Sequence, residues 1–153
     1  MLRRTLVKFL ITSPLSLFTA STLANDKNLI EVWKSPTCGC CKDWIFHLEA
    51  NGFKVVYYDT GNNRVRSQVG MPRKYGSCHT AIIGDYVIEG HVPASDILKL
   101  IDLQPEAIGL SVPGMPIGSP GMDGPEYKGR KDPFDVLLIT KKGHQIFSSY
   151  NRD

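Results

Sequence analysis

Hydrophobic and polar positions divide the first hundred residues into short, distinct elements. Leu29-Ile30-Glu31-Val32-Trp33 is β-prone with partial alternation and runs into a Ser35-Pro36-Thr37 turn. Cys41, Trp44, Ile45 and Leu48 then recur at i, i+3, i+4 and i+7, the apolar stripe of an amphipathic helix, which Asn51-Gly52 can end. Phe53 to Tyr58 predicts a second strand and Asn62 to Val69 a short helix. Thr80 to Ile83, a Gly84-Asp85 turn and Tyr86 to Glu89 make a β-hairpin. Pro93 suits the first turn of a further helix, in which Ala94, Ile97, Leu98 and Ile101 repeat the helical spacing until Gln104-Pro105 stops it.

That order, β-α-β-α-β-β-α, predicts an α/β fold with a thioredoxin-like mixed sheet flanked by helices. Strands separated by helices pair in parallel at the front, and the hairpin is expected to add an antiparallel edge. The rest of the chain differs in kind. Residues 109–125 are rich in Gly and Pro and repeat Pro-Gly-Met at 113–115 and 120–122. Phe134 to Thr140, a Lys141-Lys142-Gly143 turn and Gln145 to Tyr150 then read as a C-terminal β-hairpin. Because strands resume after it, the Gly/Pro/Met segment is expected to be a long loop within one domain, residues 25–153.

Residues 1–24 carry the marks of a signal peptide: Arg3, Arg4 and Lys8, an apolar stretch from Phe9 to Phe18, and a Thr22-Leu23-Ala24 cleavage site. Thr12, Ser13, Pro14 and Ser16 interrupt the apolar stretch, which speaks against the alternative of an uncleaved anchor. The paired arginines also suit a twin-arginine route. The expectation is a periplasmic protein with no stable membrane anchor. The net charge of +3 equals the charge of those three basic residues, so the remainder is balanced. A nucleic-acid partner, which usually requires a basic face, is therefore not expected. With 42% hydrophobic and 22% charged residues, the chain has an ordinary globular composition.

Export changes the reading of Cys38, Cys40, Cys41 and Cys78, since the default outside the cytoplasm is structural disulfides. Three of the four, however, fall within four residues, and closing so small a loop constrains the unfolded chain little. Cys38 and Cys41 form a C-x-x-C where a strand passes into a helix, the spacing of a redox dithiol beside a helix N-terminus that favours thiolate. Cys40 complicates that reading, because a third thiol invites disulfide exchange, whereas clustered thiolates suit a soft metal: Cu(I), zinc or an iron–sulfur unit. Cys78-His79 occupies the loop that faces the C-x-x-C in thioredoxin-like folds and usually carries a cis-proline. The alternative is a small buried cysteine beside a hydrogen-bonded histidine.

Together, Thr37-Cys38-Gly39-Cys40-Cys41, Ser77-Cys78-His79-Thr80-Ala81, Gly90-His91-Val92-Pro93 and Gly114-Met115-Pro116-x-Gly118-Ser119-Pro120-Gly121-Met122 resemble the CopG-like proteins of bacterial copper resistance. The likeness runs from about residue 29 to 150 and includes several motifs in order. It implies a periplasmic, thioredoxin-like protein whose cysteine cluster holds several copper ions, with a role in copper redox. By motif, the implied ligands are Cys38, Cys40, Cys41 and Cys78, followed by His79. The implied partners are copper ions and other periplasmic copper-handling or redox proteins. A thiol–disulfide oxidoreductase using Cys38 and Cys41 is the alternative.

Met115 and Met122 offer thioethers that bind Cu(I) without losing a proton, or else they anchor the loop as apolar side chains. Met71 is a weaker candidate of the same kind. His91 can ligate metal or cap the third helix, and the structural role is the expectation. His47 lies about 10 Å along its helix from Cys40, too far to share a metal with it. His144, in its turn, is expected to be solvated. Trp33 and Trp44 read as packing residues. Neither a phosphate-binding loop nor an EF-hand pattern is present, and adjacent Cys78 and His79 make a poor nucleophile–base pair in a strand.

Overall fold

A computed structural model describes residues 27–152, so the expected signal segment lies outside the described residues. The elements are β1 (Leu29–Lys34), α1 (Gly39–Ala50), β2 (Lys54–Tyr58), α2 (Asn63–Gln68), β3 (His79–Ile83), β4 (Tyr86–Glu89), α3 (Ala94–Leu103), β5 (Gly109–Ser111), β6 (Phe134–Thr140) and β7 (Gly143–Tyr150). Single 3-10 turns occur at Arg73–Tyr75 and Pro125–Tyr127.

The strands form one seven-stranded mixed sheet in the order β2-β1-β3-β4-β5-β6-β7. β1 pairs in parallel with β2 and antiparallel with β3, and β4 pairs in parallel with β5. The thioredoxin-like expectation therefore holds, with one correction. The β3–β4 hairpin is central rather than an edge, because β5, β6 and β7 extend the sheet beyond it. β5 has only three residues, too few for alternation to reveal it, and Gly109 opens it. β4 shows the central position in its burial: Val87, Ile88 and Glu89 are all buried, as strands covered on both faces are.

Alternation along the strands builds two cores. Ile30 and Val32 of β1, Ala81 and Ile83 of β3 and Ile88 of β4 pack against Trp44, Ile45 and Leu48 of α1 and Ala94, Ile97 and Leu100 of α3. Each Ile, Val or Leu side chain among them contributes roughly 1.5–3 kcal/mol by leaving water. A smaller core holds Met71, Tyr75, Val87 and Ile139. Met71 is thus a packing residue. No helix among the described residues is long and apolar enough to cross a membrane.

The expected cap of α3 belongs to a different histidine. Pro93 is the N-cap and offers no side-chain cap, so the free Ala94 N–H donates instead to His47 Nε2 at 3.1 Å. His47 is thereby occupied across the helix pair, and His91 turns elsewhere. His144 is exposed, as expected, and its Nδ1 meets the Tyr75 hydroxyl at 3.0 Å. Trp33 stacks on Tyr58, and Trp44 is fully buried.

Burial lowers the pKa of His47 from its ordinary 6.5, with the Asp123 charge opposing. The unfolded chain consequently takes up this proton first as pH falls, and stability drops from about pH 6.5 down through the depressed folded value. His47→Ala is expected to cost about 1 kcal/mol at pH 7.5, as loss of a helix cap does. Urea unfolding between pH 7.5 and 5 should show a shallower loss of stability in the variant than in the parent.

Candidate metal centre

The sulfurs converge because β1 and β3 are antiparallel neighbours. Lys34, the last residue of β1, stands opposite His79, the first of β3. The chain leaving β1 reaches Cys38 at the N-cap of α1, while Cys78 immediately precedes β3. Both loops are therefore at the same end of the sheet. The thiol or disulfide sulfurs of Cys38, Cys40, Cys41 and Cys78 all lie within 4.8 Å of one another.

Cys38 and Cys41 are joined in a disulfide with their Cα atoms 5.3 Å apart, and Cys40 and Cys78 are free. Cys40 Sγ sits 3.5 Å from Cys38 Sγ and 4.0 Å from Met115 Sδ. Met115 is 51% exposed, which places a thioether at the solvent side of the cluster. Met122 behaves differently: it is buried, and its Sδ accepts the Tyr127 hydroxyl at 3.4 Å.

Cys78 forms the inner end. Its Sγ is 3.3 Å from His79 Nδ1 and 3.1 Å from His91 Nε2, and both imidazoles are fully buried. His79 packs on the Trp44 indole at 4.2 Å between ring centroids and meets His91 edge-on at 5.1 Å. Burial drives the pKa of His79 well down, and the neighbouring His91 adds to the effect. Burial also lowers His91, against the hydrogen bond to the Pro120 carbonyl. Neither ring brings a positive charge to Cys78, whose thiol is pushed up to about 12 by burial first and by Cys40 second. Without metal the inner sulfur is a protonated thiol between neutral rings.

A polar network holds the Cys78 loop. Buried Glu89 accepts Ser77 N–H at 2.7 Å and Thr80 Oγ at 2.6 Å, and pairs with Arg66 at 2.7 Å. Arg66 Nη2 and Asn62 Nδ2 both donate to the Ser77 carbonyl, at 2.5 and 3.2 Å. Burial raises the pKa of Glu89, and the bonds from Arg66, Thr80 and Ser77 pull it back. From the other side, Ser77 Oγ donates to the Gly114 carbonyl of the Gly/Pro/Met loop. That loop is folded onto the site: Pro120 O receives His91 Nδ1–H at 2.8 Å, and Gly121 lies against the first turns of α1. A Cβ at Gly121, which has φ of +81°, would stand 2.6 Å from the Cys40 carbonyl oxygen and 2.7 Å from Trp44 N.

The structure thus brings together Cys38, Cys40, Cys41, Cys78, His79 and Met115, all singled out from sequence. It adds His91, for which the structural role had been expected. The register of the β3–β4 hairpin could have identified it: Thr80 pairs with Glu89, so two further steps set Cys78 opposite His91. Arg66, Glu89 and Asn62 escaped notice because isolated polar residues in a helix and a strand give no pattern.

The fold and site define a thioredoxin-like α/β domain with a C-x-C-C cluster at a helix N-terminus, closed by a Cys-His segment. Comparison with solved structures finds "Copper resistance protein copG- Form 1", 45% identical with a TM-score of 0.74, over 82% of this chain and 98% of that one. "Copper resistance protein copG- Form 2" is 46% identical with a TM-score of 0.73, over 80% and 98%. A family model described as "Protein of unknown function, DUF411" matches residues 75–122, which include Cys78, His79 and His91. No curated protein matches. The chain belongs to the CopG-like family.

Two substitutions test the supports. Arg66→Met leaves the Glu89 carboxylate buried without its charge partner and is expected to cost about 3 kcal/mol in urea unfolding. Gly121→Ala is expected to cost at least about 2 kcal/mol from backbone strain and the clash with α1. Gly114→Ala, at a φ of +73° but with open space around it, should cost less by the same measurement.

Proposed function

We propose that the protein is a periplasmic copper-binding protein that holds several Cu(I) ions as a thiolate cluster and serves copper resistance. The observation that carries this reading is the convergence of four sulfurs within 4.8 Å at one end of the sheet. The names of the two similar structures support copper as the metal. Soft sulfur donors favour Cu(I), and bridging thiolates allow more than one ion in a small volume. Cys38, Cys40, Cys41 and Cys78 supply the thiolates, with Met115 beside Cys40 and His79 beside Cys78 as further donors. Met122 joins the set only when Tyr127 releases its sulfur.

The disulfide gives the cluster a redox step. Opening Cys38–Cys41 takes two electrons and two protons and yields two thiols. Two copper ions passing from Cu(I) to Cu(II) release two electrons, so copper redox and the disulfide balance. Other periplasmic copper-handling or redox proteins are the corresponding partners, and the signal segment at residues 1–24 supplies the route of export.

A second reading is favoured by the disulfide itself. Cys38 and Cys41 are closed at the N-terminus of α1, the arrangement of a thiol–disulfide oxidoreductase. The two readings part at Cys40, which a dithiol exchanger does not need.

Anaerobic Cu(I) titration of the fully reduced protein against a competing chelator, with metal analysis and a thiol count, tests the proposal. The expected result is more than one copper per chain with all four thiols protected, and lower stoichiometry in Cys40→Ser. No tight binding, together with ready closure of Cys38–Cys41 and disulfide exchange that survives Cys40→Ser, would establish the oxidoreductase instead.

A further inference from the structure

One edge of the sheet is left uncovered by the described residues. β2 is a terminal strand, and its strand partner among them is β1. Lys54 N–H donates to the Asn28 carbonyl at 2.9 Å, so the backbone groups of Lys54, Val56 and Tyr58 face β1. Alternate residues bond to opposite sides of a strand, which turns the N–H and C=O of Val55 and Tyr57 outward, away from the sheet.

Such an edge is usually blunted with a charge, a proline or a bulge. Beyond Lys54 at its start, β2 has none of these: the run is Val55-Val56-Tyr57-Tyr58. Its side chains are bare as well, Val56 being 42% exposed, Tyr57 54% and Tyr58 37%, with Leu29 of β1 exposed on the same face as Val56. The opposite edge is treated differently. β7 carries His144, Gln145, Ser148 and Ser149, and its ladder with β6 has a register shift at Val136/Leu137. Ile146 is its single exposed large apolar side chain.

A second copy of this chain fits the β2 edge. A two-fold axis normal to the sheet runs the two β2 strands antiparallel and keeps like faces together. Centred on Val56, it sets Val55 against Tyr57 of the second copy, and each such pair exchanges both N–H···O bonds. Val56 then meets Val56, Lys54 stands opposite Tyr58, and all five residues of the strand are paired. The charges also match. Tyr58 donates its hydroxyl to Glu31 Oε1 at 2.8 Å, so the Lys54 ammonium of one copy approaches the Glu31 carboxylate of the other. Moving the axis to Tyr57 loses this match, because it sets Lys54 against Thr60 and Val55 against Asp59, whose carboxylate is engaged by Lys34.

We propose that the protein self-associates through β2, joining two seven-stranded sheets into one continuous sheet across a two-fold axis at Val56. The metal centre lies where β1 ends and β3 begins, so the antiparallel pairing sends the two centres to opposite ends of the joint sheet. Association of this kind is independent of which metal the centre takes. Each copy contributes one short strand, and the dimer is accordingly weak, with a Kd on the order of 10–100 µM.

The test is sedimentation velocity of the full chain, metal-free and with thiols kept reduced so that no intermolecular disulfide forms. Run from well below to well above that Kd, it should show a reversible shift from one chain to two. Val56→Lys and Val56→Glu each change an exposed side chain and set like charges face to face, and each should weaken the dimer at least about tenfold. An equimolar mixture of the two should restore it, because the axis then sets Lys against Glu. In the parent protein, amide exchange of Val55 and Tyr57 read by NMR should slow as concentration rises. A chain that stays single throughout would overturn the proposal. So would a dimer that both charged variants form as readily as the parent, a mixture that restores nothing, or Val55 and Tyr57 amides that exchange freely in the dimer. The amide measurement needs no variant and decides the matter even where a substitution prevents folding.

Discussion

Everything at the centre depends on the antiparallel pairing of β1 with β3. Their register places Lys34 against His79, so the turn after β1 and the loop before β3 emerge side by side. Forty residues separate Cys38 from Cys78, yet the ladder brings them to one end of the sheet within 4.8 Å. α1 follows its strand at once and presents Cys38, Cys40 and Cys41 from its N-cap and first turn. Ladder hydrogen bonds and the buried strip of Ile30, Val32, Ala81 and Ile83 hold this arrangement, and the sulfurs themselves need contribute little to it.

Around that ladder the site is braced from both sides. Beneath the Cys78 loop, Glu89 accepts the Ser77 N–H while Arg66 and Asn62 donate to its C=O, groups otherwise costly in so enclosed a place, and Thr80 donates to the Glu89 carboxylate. Above it, the Gly/Pro/Met loop crosses the N-terminal turns of α1, where Gly121 alone permits the approach. The loop carries Met115 to Cys40 and Pro120 to His91. Pro120 is thus an orienting group for an imidazole.

The electrostatics run from outside to inside. At the solvent end, Cys40 Sγ lies 4.0 Å from Met115 Sδ, and Met115 is exposed. At the inner end, burial holds both histidines neutral and Cys78 protonated. This gradient follows from packing against Trp44 and the sheet, since solvated histidines would titrate near their ordinary values.

By itself the amino-acid sequence determined the alternating strands, the α1 stripe, the two hairpins and the crowding of Cys38, Cys40 and Cys41, because periodicity and local spacing are properties of neighbouring residues. Four motifs in order also sufficed for the family. The tertiary structure decided what depends on distant chain segments. Only pairing across the sheet made the β3–β4 hairpin central, since the three-residue β5 leaves no periodic trace. Only packing gave the α3 cap to His47 and freed His91 for Cys78, although the hairpin register, with Thr80 opposite Glu89, already pointed there. Met115 and Met122 are alike in sequence, yet one lies beside Cys40 and the other is taken by Tyr127. Identical local motifs part in this way because burial and partners are set by the fold around them.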